Sequence, residues 1–182
     1  MKGNQPMKAL IVIDMQNDFI DGSLGTSEAV AIVPVVKKLI DDGDYHKLIF
    51  TRDTHEKNYL FTQEGQNLPV EHCIKHTHGW KIHDDLDISK ADAIIDKPSF
   101  GWTGWNTICD KYSGWDSILN RMDEIVLVGL CTNICVISNA LIIKALYPET
   151  KVSIIEDATA GVTPELKAAA LETAKSCQIH II

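Results

Sequence analysis

Apolar positions along this chain fall into two patterns. The first is a set of short continuous runs, Ala9 to Ile13, His46 to Phe50, Ala93 to Ile95, Glu124 to Val128, Val152 to Ile155 and Gln178 to Ile182. Runs without apolar–polar alternation suit strands covered on both faces, as in a parallel sheet flanked by helices. The second pattern recurs at every third or fourth position and predicts helices over Val30 to Leu39, Trp115 to Met122, Cys135 to Leu146 and Pro164 to Ala174. Thr163 and Pro164 supply a hydroxyl cap and a proline at the first helical position. Strands alternating with helices predict a doubly wound α/β fold, six parallel strands in the order 3-2-1-4-5-6 with helices on both faces. Ligands of such sheets bind beyond the carboxyl ends of the strands, so chemistry is sought there. Thr51 to Asp92 breaks the rhythm and carries five of the seven histidines, which marks it as a functional segment.

The 182 residues suit one domain spanning 1–182, without internal repeats or a linker. Hydrophobic residues at 45% and charged residues at 23% exclude a disordered tail, a collagen-like repeat and a coiled coil. A net charge of -8 argues against a nucleic-acid partner, because phosphate contacts need clustered Lys and Arg. No apolar run reaches the roughly 18 residues of a membrane span, and Met1 to Lys8 does not read as a signal peptide. Five cysteines without paired short spacings suit thiols in a reducing cytoplasm rather than a disulfide framework.

Several strands run directly into polar residues. The first leads into Asp14, the carboxylate of Asp14-Met15-Gln16-Asn17-Asp18-Phe19. The second leads into Thr51-Arg52-Asp53-Thr54-His55, where Asp53 and His55, two apart in extended chain, project to one side. Glu64 follows nine residues after His55, and His72 eight residues after Glu64. Two imidazoles and two carboxylates form a plausible set for one divalent ion, zinc first and iron or manganese next. The third strand ends at Lys97, placed to pair with a carboxylate or to help charge a thiolate. The fourth runs into Gly129-Leu130-Cys131-Thr132-Asn133-Ile134-Cys135-Val136. Thr132 or Asn133 can cap a helix starting there, with Cys135 in its first turn, where free N–H groups favour a thiolate and can hold an oxyanion. Cys131 then reads as a backbone donor.

With these motifs, and with Leu68-Pro69-Val70-Glu71-His72, the chain resembles the isochorismatase-like cysteine hydrolases, most closely their nicotinamidase/pyrazinamidase branch. The resemblance implies a catalytic triad of Asp14, Lys97 and Cys135 and metal ligands Asp53, His55 and His72, with Glu64 in the place of a fourth. It implies a cis peptide between Leu130 and Cys131, and an oxyanion hole from the N–H groups of Cys131 and Cys135. The implied reaction is hydrolysis of a small amide such as nicotinamide or pyrazinamide through a thioester on Cys135, in a homo-oligomer that meets neither nucleic acid nor membrane. A sibling activity on another small amide, ureido or carbamoyl compound is the alternative. Many nicotinamidases carry an aromatic residue just before the second histidine, where Leu68 to His72 has none. Phe19, Phe100 and Trp102 are the rings expected to line the substrate pocket instead. Trp105 is read as packing, and His76, His78 and His83 as solvated.

Overall fold

The computed structural model describes residues 5–109 and 117–182. Six strands form one parallel sheet in the order β3-β2-β1-β4-β5-β6. They are β1 (Lys8–Ile13), β2 (Lys47–Asp53), β3 (Ala93–Lys97), β4 (Glu124–Leu130), β5 (Lys151–Ala160) and β6 (His180–Ile181). The helices are α1 (Asn17–Ile20), α2 (Ser27–Asp42), α3 (Gln63–Asn67), α4 (Ile137–Leu146) and α5 (Pro164–Ser176).

The pleat divides the core. Ala9, Ile11 and Ile13 of β1 pack with Ala140 and Ile143 of α4 and with Leu171 and Ala174 of α5. Leu10 and Val12, pointing the other way, pack with Ala29, Ile32, Val33, Val36 and Ile40 of α2. Both faces of the central strands are thereby dry, which is why their sequences show no alternation. Thr26 caps α2 by accepting from the Ala29 N–H, and Thr163 caps α5 by accepting from the Leu166 N–H. Among the described residues no helix is long and apolar enough to cross a membrane, and the five cysteines are free thiols.

Several elements differ from the sequence expectation. The strands β2, β3 and β4 extend two or three residues past their apolar runs, with Asp53 and Lys97 the last residues of β2 and β3. The β5 strand is longer than its apolar run and takes up a register shift against β4 between Leu127 and Gly129, while β6 shrinks to two residues. Of the helix expected over Trp115 to Met122, the described part is a single tight turn, Ile118–Arg121; residues 110–116 lie outside the described residues.

The chain beyond β4 also departs from the expectation. Thr132–Val136 is a π-helical turn that leads into α4, so Cys135 does not sit in the first turn of an ordinary α-helix. Neither proposed cap acts: Asn133 Oδ1 accepts from the Val162 N–H instead, and no hydrogen-bond partner for the Thr132 hydroxyl is found among the described residues. Gly129 has φ of 110°, and a Cβ there would stand 2.1 Å from the Ile13 carbonyl oxygen, so only glycine fits where β4 meets β1.

Candidate active site and metal cluster

At the carboxyl end of the sheet the strand register sets the site. Asp53 and Lys97 are direct partners in the β2–β3 pair, and Ile13 partners Gly129 in the β1–β4 pair, which puts Asp14 beside the chain that leads into the Thr132–Val136 turn. Asp14 itself has φ of 48°, the left-handed region that a non-glycine residue adopts only when its surroundings hold it there. Thr51 of β2 does the holding. Its hydroxyl donates to Asp14 Oδ1 at 2.6 Å and accepts from the Asp14 N–H at 3.1 Å. Asp14, Thr51 and Lys97 are fully buried.

Lys97 Nζ meets Asp14 Oδ2 at 2.6 Å, Cys135 Sγ at 3.5 Å and Asp53 Oδ1 at 3.5 Å, and donates to the Ser99 carbonyl at 3.1 Å. The electrostatics follow from this crowding. Burial raises the Asp14 carboxyl above its usual range, and Lys97 pulls it partly back. Burial, followed by the charge of Asp14, pushes the Cys135 thiol well up, against the opposing pull of Lys97. Burial disfavours the Lys97 ammonium, but Asp14, Cys135 and Asp53 outweigh it and hold the amine protonated. The site thus brings a thiol held protonated, a lysinium and the Asp14 carboxyl into one buried cluster. The peptide between Leu130 and Cys131 is cis.

On the other side of Asp53 the four residues singled out from sequence converge. One ligand atom from each of Asp53, His55, Glu64 and His72 lies within 4.8 Å of the others. His55 Nε2 stands 3.0 Å from Asp53 Oδ2 and 3.6 Å from Glu64 Oε1. His72 Nε2 stands 3.6 Å from Asp53 Oδ2 and 3.8 Å from Glu64 Oε1. His72 Nδ1 donates to the Val70 carbonyl at 2.8 Å, and because a carbonyl only accepts, the Nε2 lone pair is left for the cluster. Burial works against the Asp53 carboxylate, but the imidazoles of His55 and His72 beside it and the charge of Lys97 hold it well below the usual range. Glu64 is pushed up by burial and by Asp53. Two nitrogens and two carboxylates, preorganised and mostly buried, fit a divalent ion.

Three residues that sequence reasoning passed over complete this frame. Gln16 donates to the carbonyls of Asp53 and Trp80, both at 2.9 Å, and accepts from the Asp53 N–H at 2.7 Å, pinning the backbone of the shared carboxylate. Tyr59 packs on both imidazoles, with ring centroids 4.6 Å from His55 and 4.9 Å from His72. Its hydroxyl donates to the Leu68 carbonyl, and burial lifts its pKa to about 12. Thr51 is the third. It stands two residues before Asp53, and the strand period already put those two side chains on one face.

A cavity of about 540 Å³ opens over Cys135, Cys131, Asp53, Glu64 and His72. Phe19 and Phe100 line it, together with Leu68 and Val162. Trp102 does not: its ring packs edge-on to Trp105 at 5.2 Å against the core, which removes it from the expected pocket. Trp105 is buried packing, as expected. His76 and His78 are exposed, whereas His83 is half-buried, with Nδ1 accepting from the Asp85 N–H.

Residues 8–182 match the isochorismatase domain, and the chain belongs to the isochorismatase family. A nicotinamidase/pyrazinamidase of Mycobacterium tuberculosis is 29% identical over 193 residues, covering 97% of this chain and 98% of its own. The crystal structure of a pyrazinamidase of Pyrococcus horikoshii in complex with zinc superimposes with a TM-score of 0.74 at 30% identity, over 97% of this chain and 99% of that one. PnC1 from L. infantum, solved with nicotinate, gives a TM-score of 0.82 at 21% identity over 98% and 93% of the two chains, a likeness of fold. Within its family the chain stands on the nicotinamidase/pyrazinamidase branch and is a hydrolase.

Proposed function

We propose that this protein is a metal-dependent cysteine amidohydrolase that converts nicotinamide to nicotinate and ammonia and also accepts pyrazinamide. The observation that carries the reading is the buried Lys97 ammonium in contact with both the Asp14 carboxyl and the Cys135 thiol, where Cys135 lines a cavity that Asp53, Glu64 and His72 of the four-residue cluster also line. The similarity to nicotinamidases and pyrazinamidases supports the choice of substrate. A divalent ion held by those four residues, zinc first and iron or manganese next, would supply Lewis acidity toward the substrate's ring nitrogen or carbonyl and hold it in place.

The thiol of Cys135 is protonated at rest, so attack on an amide needs a base in contact with it. Asp14 takes that proton while Lys97 stabilises the thiolate. Sulfur adds to the carboxamide carbon, and the carbonyl electron pair moves onto oxygen, held by the N–H groups of Cys131 and Cys135. Asp14 returns the proton to the amide nitrogen, the C–N bond breaks, and ammonia leaves an acyl-thioester. Asp14 then takes a proton from water, whose oxygen adds to the thioester carbon. The C–S bond breaks, Asp14 returns that proton to the Cys135 sulfur, and the acid is released. Thr51, Gln16 and Tyr59 hold these groups in register.

The test is ammonia release from nicotinamide and pyrazinamide by metal-replete protein, with metal content measured on the same sample. Cys135→Ala is expected to abolish turnover yet retain metal, Cys131→Ala to be mild, and the trapped acyl adduct to map to Cys135. An adduct on Cys131, or full activity in Cys135→Ala, overturns the mechanism. Turnover of ureido or carbamoyl compounds in preference to both amides overturns the substrate. Cytoplasmic location and assembly into a homo-oligomer belong to the same proposal.

A further inference from the structure

One turn beyond the nucleophile, Asn139 of α4 is fully buried and uses every hydrogen-bonding position of its amide. Its Nδ2 donates to the Cys135 carbonyl at 2.7 Å and to the Phe100 carbonyl at 3.0 Å. Its Oδ1 accepts from the Trp102 N–H at 2.9 Å and from Trp105 Nε1 at 3.0 Å. Phe100 lines the cavity, and the residue before it, Ser99, supplies the carbonyl that receives Lys97. A single side chain therefore joins the backbone of the nucleophile to the backbone of the cavity wall.

We propose that Asn139 is a positioning residue that sets the spacing between Cys135 and the substrate-facing wall at Phe100, an inference that rests on the amidohydrolase reading for its substrate. The two donated bonds have separable effects. The bond to the Cys135 carbonyl steadies the nucleophile turn. The bond to the Phe100 carbonyl steadies the wall.

A threonine on a helix can donate back to the carbonyl four residues earlier, here that of Cys135, but cannot also serve Phe100. Asn139→Thr therefore keeps the bond at the nucleophile and loses those to Phe100, Trp102 and Trp105, all on the wall side, and is expected to raise KM for nicotinamide by at least roughly threefold to tenfold, the worth of the Phe100 bond alone, with kcat near that of the unmodified enzyme. Asn139→Leu loses all four bonds, the one to the Cys135 carbonyl included, and is expected to raise KM and lower kcat together. It should also speed alkylation of Cys135 by iodoacetamide several-fold, read peptide by peptide by mass spectrometry. Tyr147→Phe is the control. It removes a hydroxyl that donates to the Trp105 carbonyl at 3.1 Å and lies 3.0 Å from Ser117 Oγ on the same loop, away from the nucleophile. It is expected to lower thermal stability and leave KM, kcat and alkylation unchanged.

Unmodified KM in Asn139→Thr, unmodified alkylation in Asn139→Leu, or the same changes in Tyr147→Phe would overturn the proposal. If Asn139→Leu does not fold, Asn139→Thr decides by its KM. If the unmodified protein leaves nicotinamide intact, the substrate reading fails, and alkylation, which uses no substrate, decides for Asn139 alone.

Discussion

Replacing Thr51 with valine keeps the shape of the side chain and deletes one hydroxyl. That hydroxyl makes two buried bonds to one residue, a donated bond of 2.6 Å to the Asp14 carboxylate and an accepted bond of 3.1 Å from its N–H. A hydrogen bond to a charged group contributes about 1.5–3 kcal/mol, and leaving a buried N–H without a partner costs about 1–3 kcal/mol. The Asp14 backbone, at φ 48°, has no intrinsic preference for the conformation those bonds enforce. If the first contribution serves to aim the carboxylate, kcat/KM falls roughly tenfold to a hundredfold, since each 1.36 kcal/mol is a factor of ten.

The pH profile supplies the sign. Burial raises the Asp14 carboxyl, and Thr51 is one of the groups that pull it down. Without Thr51 the carboxyl rises further, so the acidic limb of kcat/KM, which reports the ionised base, moves to higher pH. The assay is ammonia release from nicotinamide across the acid range, with denaturant melts of both proteins alongside. A folded Thr51→Val enzyme with unaltered kcat/KM and an unmoved acidic limb would refute the assignment of Asp14 as the base held by Thr51.

His72→Ala is expected to lose bound metal and activity together, by elemental analysis and turnover of one sample; Glu64→Gln tests the fourth ligand, and undiminished metal affinity there removes Glu64 from the set. Gly129→Ala forces a Cβ onto the Ile13 carbonyl at a φ of 110° and is expected to cost about 3 kcal/mol or more in denaturant melts. Burial works to raise the Glu124 carboxyl, but Ser153, Lys151 and Lys8 outweigh it and hold it below its usual range. Its stabilisation is present above the unfolded-state pKa and lost as pH falls through the folded one. Glu124→Gln is therefore expected to be about 1 kcal/mol less stable near pH 7, and the gap to the parent should close in acid; a gap that widens there refutes the argument.

Residues whose chemistry is carried by their position at a strand end were readable from the chain. Asp14, Asp53, Lys97 and Cys135 each stand where an apolar run gives way to polar residues, and the sheet order brings those ends together. Residues whose purpose lies in a partner far along the chain were not. Thr51 and Gln16 act on backbone 37 residues away, and Asn139 on loop residues 34 to 39 positions earlier, pairings that no local spacing encodes. Trp102 packs on Trp105 instead of lining the cavity, because a ring's place along the chain does not say which way it faces. The start of the helix at Cys135 was misjudged because Asn133, a good cap by type, bonds to the Val162 N–H brought in from β5's far end.

Asp53 presents one oxygen to Lys97 at 3.5 Å and the other to His55 at 3.0 Å. The thiol centre and the cation cluster are therefore not separable modules joined by a cleft; they are two halves hinged on one carboxylate. For a protein engineer this divides the ligand set unequally. On the proposed reading, exchanges at His55, Glu64 and His72 would retune cation preference at one remove from Cys135. Any exchange at Asp53 rewrites the charge seen by Lys97 in the same stroke, so variation at that position must be matched by variation across the strand pair or not occur at all.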